Sequence, residues 1–374
     1  MLNFKSLLAC AVTIGLLPFA AAEAQTKITY GSYLAARHAT NTKSVVPWFE
    51  AVEKATNNSL KFELLADGTI VGGRNSLQGI RDNVVDMTII VDFYTPNDLK
   101  TSVILTELSM LGESAAAMTG AVTEMQMMNC PSCTKEAADN NMRILGIYSS
   151  TPYNMMCRMP ITSAADFKGK RIRASGAWGI WVRALGATPV NITTGEMYEA
   201  LQRGQIDCTV INIAGLTNYS LADVVKHVID LPMGTFHGAH VFNMNTSVWN
   251  KRTAAEKKAM IDNLPMAMAN LVEGAEQEDL NAREEGKKRG IVFSPAPQDL
   301  KDALVAHQKT ELQRINELAK SRNVKDSEKT IEDFRKLIEK WTRISAEAGT
   351  DKAKYAAALK ANVYDKVKPG VRQA

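Results

Sequence analysis

An arginine at the end of a short predicted strand is the strongest candidate for chemistry in this sequence. Residues 171–174 read Arg-Ile-Arg-Ala and precede a small-residue loop and a helix with two tryptophans. Because side chains alternate across a strand, Ile172 should face one side and Arg173 the other. Open α/β sheets bind ligands outside the carboxyl ends of their strands, and a guanidinium can hold a carboxylate through two parallel hydrogen bonds. The pattern predicts that Arg173 binds a carboxylate, with an exposed structural arginine as the alternative.

Further candidates for ligand binding are aromatic and histidine side chains that are predicted at strand ends or in loops, where the lining of a cleft would lie. The set is Tyr33, His38, Phe93, Tyr153, Trp178, Phe236 and His237, and the aromatic residues Tyr94, Trp181 and Tyr219 fall at similar places. For the aromatic members the alternative is ordinary packing in the core or on the surface.

The sequence contains no convincing catalytic set. It has neither a Gly-x-Ser-x-Gly elbow nor a His-Glu-x-x-His motif. His237 and His240 are three residues apart, but Gly234 and Gly238 argue against a helix there, and no acidic third ligand is adjacent. We therefore predict no enzyme, no metal and no cofactor, and interpret His237 as a hinge residue near the cleft.

The four cysteines after residue 24 raise a separate question. Cys130 and Cys133 have the spacing of a redox motif, but no predicted strand precedes them as in a thioredoxin-like unit. A local disulfide is the interpretation here, and a periplasmic thiol oxidoreductase is the alternative. Cys157 and Cys208 fall in predicted strands, and the sequence does not decide whether they pair or stay as buried thiols.

The amino terminus predicts export. Lys5 precedes an apolar run over residues 7–19, and small residues at Ala22 and Ala24 fit a signal-peptidase site, so cleavage is expected near Ala24. The run is short for a membrane span. A net charge of +4 over 374 residues gives no sign of a nucleic-acid-binding surface. The expected location is the periplasm.

The alternation of strands and helices predicts two α/β lobes with a ligand cleft between them. We expect lobe I at 25–149 plus about 238–288, lobe II at 150–237 plus about 289–345, and a tail at 346–374 that packs on the lobes. A long helix over residues 254–290, bent at Pro265, should clasp both lobes. Export and two lobes are typical of a periplasmic binding protein that closes by a hinge.

Three segments together resemble the solute-binding subunit of TRAP (tripartite ATP-independent periplasmic) transporters, the C4-dicarboxylate-type binding protein family. They are residues 165–173 (ADFKGKRIR), 184–190 (ALGATPV) and 196–207 (EMYEALQRGQID), and the likeness extends over nearly the whole mature chain. The resemblance implies two α/β domains, a long helix spanning both, and no catalysis. It also implies that Arg173 binds the substrate carboxylate, and that a monomer delivers organic acids to a membrane permease driven by an ion gradient.

The sequence departs from the family pattern at three places in the expected site. Tyr153 stands near the position of a frequent second arginine, and Thr194 stands where an aromatic residue is common. After Asp207 the usual Asp-Gly-x-Glu-Asn is replaced, which shifts the expected polar contact to Asn212. These changes favour a less polar organic acid, against whose apolar or aromatic body Trp178 would pack. A receptor for a non-carboxylate solute such as a sulfonate is the alternative.

Overall fold

The computed structural model describes residues 25–367, which form two six-stranded sheets flanked by helices. The strands are β1 (Thr26–Gly31), β2 (Leu60–Leu65), β3 (Met87–Thr88), β4 (Ile90–Val91), β5 (Met142–Tyr148), β6 (Asn154–Cys157), β7 (Arg171–Arg173), β8 (Thr188–Val190), β9 (Cys208–Ile211), β10 (His227–Asp230), β11 (Ala239–Asn245) and β12 (Val292–Pro295).

Helices account for most of the remaining chain. The α-helices are α1 (Val46–Ala55), α2 (Ser76–Arg81), α3 (Lys100–Thr106), α4 (Ala115–Glu124), α5 (Pro131–Asp139), α6 (Gly176–Ala184), α7 (Met197–Gln202), α8 (Gly215–Asn218), α9 (Thr246–Asn250), α10 (Ala254–Asp262), α11 (Leu264–Lys288), α12 (Gln298–Ser321), α13 (Ser327–Ala348) and α14 (Lys352–Leu359). Short 3-10 or π turns cover Thr40–Val45, Asp92–Tyr94, Glu107–Leu111, Met125–Asn129, Ala164–Phe167, Thr194–Glu196, Leu221–Asp223 and Lys360–Tyr364. Within the described range, every helix is too short or too polar to cross a bilayer.

The first sheet has the order β2-β1-β3-β11-β4, with β5 also paired to β11. Its parallel part, β1 with β2 and β3, follows from the strand–helix–strand opening of the chain. β1 alternates as expected from its sequence, and Ile28 and Tyr30 are fully buried beneath α1. From α1, Trp48 and Phe49 pack into the same core, with the Phe49 ring 5.8 Å from that of Tyr30.

The second sheet has the order β12-β10-β6-β9-β7-β8. β7 runs parallel to β8 and β9, so the carboxyl ends of these three strands meet at one edge. β6 runs antiparallel to β9 and places Cys157 directly opposite Cys208, and the two form a disulfide. The predicted local bridge between Cys130 and Cys133 is also present, at the start of α5.

The chain passes between the sheets at segments that form the hinge region. It leaves the first sheet after β5, returns between β10 and β11, and reaches β12 of the second sheet through α11. α11 contacts β5 and α4 on one side and α8 and β12 on the other, while α12 contacts both α3 and α6. The predicted two-lobe α/β fold with a long clasping helix is confirmed, and α13 packs mainly on α4.

One detail of the long helix differs from the prediction. Instead of one helix bent at Pro265, α10 ends at Asp262 and α11 begins at Leu264, with the proline in its first turn. Proline is favoured there because the first helical N–H groups have no intrahelical partner in any case. The proline therefore starts a helix and does not bend one.

Candidate functional site

A cavity lies between the two sheets, with an empty volume of about 930 Å³ that includes the space at its mouth. The predicted side chains that line it are Tyr33, His38, Phe93, Tyr153, Arg173, Trp178, Asn212 and Phe236. The structure thus brings together residues that are up to about two hundred positions apart in the chain.

Arg173 is fixed in the cavity wall by the strands beside it. β7 pairs with β8 and β9, and the guanidinium donates Nε to Ile192 O (3.2 Å) and Nη1 to Val210 O (3.1 Å). Its side chain is 5% exposed, and within residues 25–367 it makes no ion pair with a protein carboxylate. A buried, unpaired guanidinium is costly unless an anion accepts its remaining N–H groups. The arrangement therefore fits an anion site.

Arg171, two residues earlier, has a different environment. It is exposed, donates to Gly204 O, and its Nε lies 3.8 Å from Asp207 Oδ2. The two arginines share one face of β7, but Arg173 lies at the carboxyl end of the strand, in the cavity wall, whereas Arg171 lies at its start and is exposed. The alternative interpretation, that Arg173 is an exposed structural arginine, is wrong because Arg173 is buried. Arg171 is the exposed arginine of this strand.

Aromatic rings form a wall of the cavity. Tyr153 and Trp178 are stacked with ring centres 4.6 Å apart and planes at 27°, and Phe236 lies 6.2 Å from Tyr153 at 21°. Phe93, from the first sheet, is 5.5 Å from Phe236. The Trp178 ring is held by its Nε1, which donates to Met233 O (2.8 Å). These contacts leave a rigid, flat-sided space suited to an apolar or planar ligand body.

Tyrosine hydroxyls supply further hydrogen-bonding groups. Burial raises the pKa of Tyr219 to about 12 and raises the pKa values of Tyr33, Tyr148 and Tyr153 above their ordinary range. All four side chains line the cavity and are neutral at physiological pH. They can therefore donate hydrogen bonds to an anion without adding charge.

The two polar residues at the altered family positions also face the cavity. Asn212 Nδ2 donates to Thr151 Oγ1 (3.0 Å), which leaves its carbonyl oxygen for other partners. Thr194 Oγ1 is buried, and the hydroxyl groups of Tyr33 and Tyr219 interact with it. Thr194 therefore adds a hydroxyl group to the polar part of the cavity lining.

The two predicted histidines have different positions. His38 lines the cavity, half-buried, and its Nδ1 accepts the N–H of Thr40 (3.2 Å). Burial lowers the pKa of His38 to about 4, so the ring is neutral near pH 7. Its ring centre lies 5.7 Å from that of Tyr219.

His237 is not part of the cavity lining. It is fully buried, with Nε2 2.9 Å from Leu105 O and its ring 5.4 Å from that of Phe334. Phe236 and His237 are consecutive in an extended segment, so they point to opposite sides, and Phe236 is the one in the cavity. The structure does not bring His237 to the site, and the described residues contain no cluster suited to a metal.

Several lining residues were not identified from the sequence. They are Tyr148, Ser150, Asn218 and Glu278. Tyr148 ends β5 much as Arg173 ends β7, so its strand-end position was an available signal. Glu278 lies in the middle of α11, where an acidic residue reads as an ordinary solvated helix position. No local pattern would have marked it.

Contacts across the mouth join the two sides of the cavity. Thr194 N donates to Tyr94 OH (3.0 Å), and Arg74 Nη2 donates to Asn191 O (3.1 Å). The ring of Phe93 sits against Gly176, where a Cβ would meet it at 2.3 Å. These contacts hold the two lobes together beside the cavity.

A half-buried carboxyl on α11, that of Asp279, lies next to residues that contact the cavity lining. Asp279 Oδ1 accepts the N–H of Ala214 (2.6 Å), and the Thr151 hydroxyl also bonds to Asp279. Burial raises the pKa of Asp279 from 3.8 to about 6, although both hydrogen bonds and Arg283 act to lower it. Thr151 also contacts Asn212, so the carboxyl is one residue removed from the cavity lining.

Replacing Asp279 with asparagine should flatten part of the pH dependence of stability. The folded chain holds this proton up to about pH 6, whereas the unfolded chain releases it near 3.8, so the free energy of unfolding falls as the pH rises through this window. The fall is up to about 3 kcal/mol over the whole window, at 1.36 kcal/mol per pKa unit, and about 2 kcal/mol of it lies between pH 4.5 and pH 7. Urea unfolding of both proteins at about pH 4.5 and about pH 7 measures it.

The control for this experiment is Asp139→Asn, an exposed carboxylate on α5. Burial also raises the pKa of Asp92, to about 7, and this residue is present in all three proteins. The free energy of unfolding of each protein should therefore still fall somewhat as the pH rises. The Asp279 assignment would be contradicted by an Asp279→Asn variant whose unfolding free energy changes with pH as steeply as that of the wild type.

Comparison with sequence families and curated proteins gives one consistent result. A sequence model of DctP, described as bacterial extracellular solute-binding protein, family 7, matches residues 31–346. The outer membrane transporter protein TsaT of Comamonas testosteroni is 22% identical over 301 residues, which is 79% of this chain and 87% of that protein.

Solved structures with the same fold include TRAP solute-binding proteins. One from Bordetella bronchiseptica with bound (R)- and (S)-mandelate has a TM-score of 0.73 at 22% identity, covering 84% of this chain and 99% of its own. One from Rhodoferax ferrireducens in complex with copurified benzoate has a TM-score of 0.77 at 17% identity, and the match covers 86% of this chain and 100% of that chain. At these identities the likeness shows a shared fold.

Proposed function

Because the chain belongs to the DctP family of bacterial extracellular solute-binding proteins, family 7, we propose that it is a periplasmic receptor for a small organic carboxylate. It binds this ligand in the cavity between its lobes and delivers it to a TRAP-type membrane permease. The family consists of binding proteins, so the chain is a receptor and not an enzyme. The proposal includes export with cleavage near Ala24, which lies outside the described residues, and a monomeric state.

The observation that carries the proposal is the unpaired guanidinium of Arg173. It is 5% exposed, oriented by two backbone carbonyls, and part of the lining of an otherwise largely aromatic cavity. A charge-assisted, two-pronged contact with a carboxylate would satisfy its remaining N–H groups. The solved proteins of the same fold that hold mandelate or benzoate support a small organic acid as the ligand class.

Lobe closure accompanies binding in this proposal. The lobes, residues 25–149 with about 238–288 and 150–237 with about 289–345, would separate at the segments that cross between the sheets. The closed contacts across the mouth, such as Tyr94 with Thr194, would then open to admit the ligand.

A thermal-shift screen tests the proposed ligand class. Carboxylates, matched sulfonates and neutral analogues, such as benzoate, benzenesulfonate and benzyl alcohol, are added to the purified mature protein. A ligand at 100 times its Kd stabilises the fold by about 2.7 kcal/mol, which raises Tm by several degrees. We expect this shift with carboxylates and none with neutral analogues. A shift with sulfonates alone would favour the sulfonate receptor, and equal shifts with neutral analogues would contradict an anion site.

The thiol oxidoreductase is set aside as an alternative. Cys130 and Cys133 are each 2% exposed, and both sulfurs are in a disulfide at the beginning of α5. A catalytic thiol needs an accessible sulfur. Their role is to close the turn between the π turn at Met125–Asn129 and α5.

A further inference from the structure

We propose that the cavity selects an aromatic monocarboxylate, and that Glu278 excludes ligands with a second carboxylate. The proposal rests on the proposed function, because it concerns the same site and takes Arg173 as the anchor. It goes further in naming the ligand class and a residue that determines specificity.

The charges of the lining match a single negative charge on the ligand. Among the lining residues in the described part of the chain, Arg173 is the one cation and Glu278 the one acidic side chain. His38 adds no positive charge near neutral pH, since burial lowers its pKa to about 4. One carboxylate can therefore pair with Arg173, but a second one would have no cationic partner in the cavity wall.

Glu278 makes the burial of a second carboxylate still less favourable. α11 carries this side chain into the lining, and Asn218 Nδ2 holds its Oε2 at 2.8 Å. Burial raises the pKa of Glu278, while Asn218 and Lys43 lower it. Lys43 is exposed and is not a lining residue. A second ligand carboxylate would have to lie near a like charge or take up a proton, and either requirement costs free energy that a monocarboxylate does not incur.

Tyr219 places both charges within reach of one ligand. Burial is the main cause that raises the pKa of Tyr219, and among the smaller effects Arg173 lowers it and Glu278 raises it. Both residues also line the cavity together with Tyr219. A ligand whose carboxylate binds Arg173 therefore extends into space that Glu278 influences.

The shape and chemistry of the walls favour an aromatic ring as the body of the ligand. The stacked pair Tyr153 and Trp178 and the nearly parallel ring of Phe236 present flat faces from the second sheet and the hinge. Phe93 and Tyr94 approach from the first sheet, and Leu271 adds an aliphatic contact from α11. Aromatic pairs in such offset or tilted geometry gain stability beyond burial of their area.

Isothermal titration calorimetry of the mature protein with matched ligands tests the selection. Terephthalate and its monomethyl ester have the same ring and nearly the same length, but the ester carries one charge. We expect the ester to bind at least about 100-fold more tightly than terephthalate. We also expect benzoate to bind about three- to tenfold more tightly than cyclohexanecarboxylate, which has the same carboxylate on a saturated ring.

The variant Glu278→Gln tests the role of this side chain. Glutamine keeps the size and can still accept from Asn218, but it has no charge. The affinity ratio of monomethyl terephthalate to terephthalate should fall about tenfold or more. Glu284→Gln, on the exposed face of the same helix, is the matched control and should keep the wild-type ratio.

The outcomes separate the two proposals. Tight binding of terephthalate or succinate by the wild type would overturn the monocarboxylate selection, yet would leave the carboxylate receptor intact. An unchanged ratio in Glu278→Gln would overturn the role of Glu278. If none of the carboxylates binds to folded wild-type protein, the proposed function itself fails.

Discussion

Arg173→Ala is expected to weaken binding of a cognate carboxylate by about 30-fold to about 4,000-fold. Truncating one partner of a buried, hydrogen-bonded charge pair costs about 2–5 kcal/mol, and 1.4 kcal/mol corresponds to a factor of ten in Kd. Arg173 is such a partner because it is buried and no protein carboxylate in the described chain neutralises it. Calorimetry with the best ligand from the thermal-shift screen measures the loss.

Two further variants separate the role of the charge from that of the fold. Arg171→Ala removes an arginine from the same strand that is exposed and outside the cavity, so affinity should stay within about twofold of the wild type. Arg173→Lys keeps the charge but loses the paired guanidinium geometry and the bonds to Ile192 O and Val210 O. Its affinity should lie between those of the wild type and the alanine variant.

Stability of the ligand-free variants is measured beside affinity, because Arg173 also satisfies two backbone carbonyls. Wild-type affinity in a folded Arg173→Ala protein would remove the arginine from the binding site. Should that variant fail to fold, Arg173→Lys still decides the matter, since an undiminished affinity there would argue against two-pronged recognition.

Local sequence rules were sufficient for the residues whose position depends on one strand. The alternation along β7 separates Ile172, fully buried, from Arg173 in the cavity wall. Likewise, aromatic residues at strand ends, such as Tyr153 just before β6, reach the cavity because strand ends of an α/β sheet meet at its edge.

The same rules were insufficient where position depends on packing between distant elements. The side chain of His237 lies in a hinge segment whose sequence has no periodic pattern, so the sequence does not indicate which way it points. In the structure it points towards Phe334 on α13. Glu278 faces the cavity because of the rotation of α11 against both lobes, which the helix sequence does not encode locally. The Cys157–Cys208 pairing required the register of β6 against β9, strands about fifty residues apart.

The hinge segment at residues 231–238 contains a glycine on which the site depends. Gly234 has φ +85°, and a Cβ there would lie 2.0 Å from Ser109 O and 2.5 Å from the Cα of Met110. The same segment positions the aromatic wall, because Gly234 O accepts the N–H of Tyr153 (2.8 Å) and Met233 O accepts Nε1 of Trp178 (2.8 Å). Close backbone packing at this glycine therefore fixes the distance between the hinge and the ligand-facing rings.

Gly234→Ala should lower the free energy of unfolding by about 2–5 kcal/mol and weaken ligand binding more than tenfold. A left-handed conformation costs an alanine about 1–2 kcal/mol, and forcing extra volume into a packed interior adds about 1–3 kcal/mol. The affinity falls because the displaced segment moves the contacts of Tyr153 and Trp178. Urea unfolding and calorimetry measure the two effects.

Gly169→Ala is the matched control for the conformational part of this effect. Gly169 also has a positive φ, +75°, but a Cβ there would meet nothing within 4 Å, and the residue is exposed. The free energy of unfolding of Gly169→Ala should be lower than that of the wild type by about 1–2 kcal/mol, and its ligand affinity should be unchanged. The difference between the two variants isolates the contact of Gly234 with Ser109 and Met110. Equal losses in the two proteins would mean that this contact does not hold the hinge segment in place, and that the aromatic wall is positioned by the strands alone.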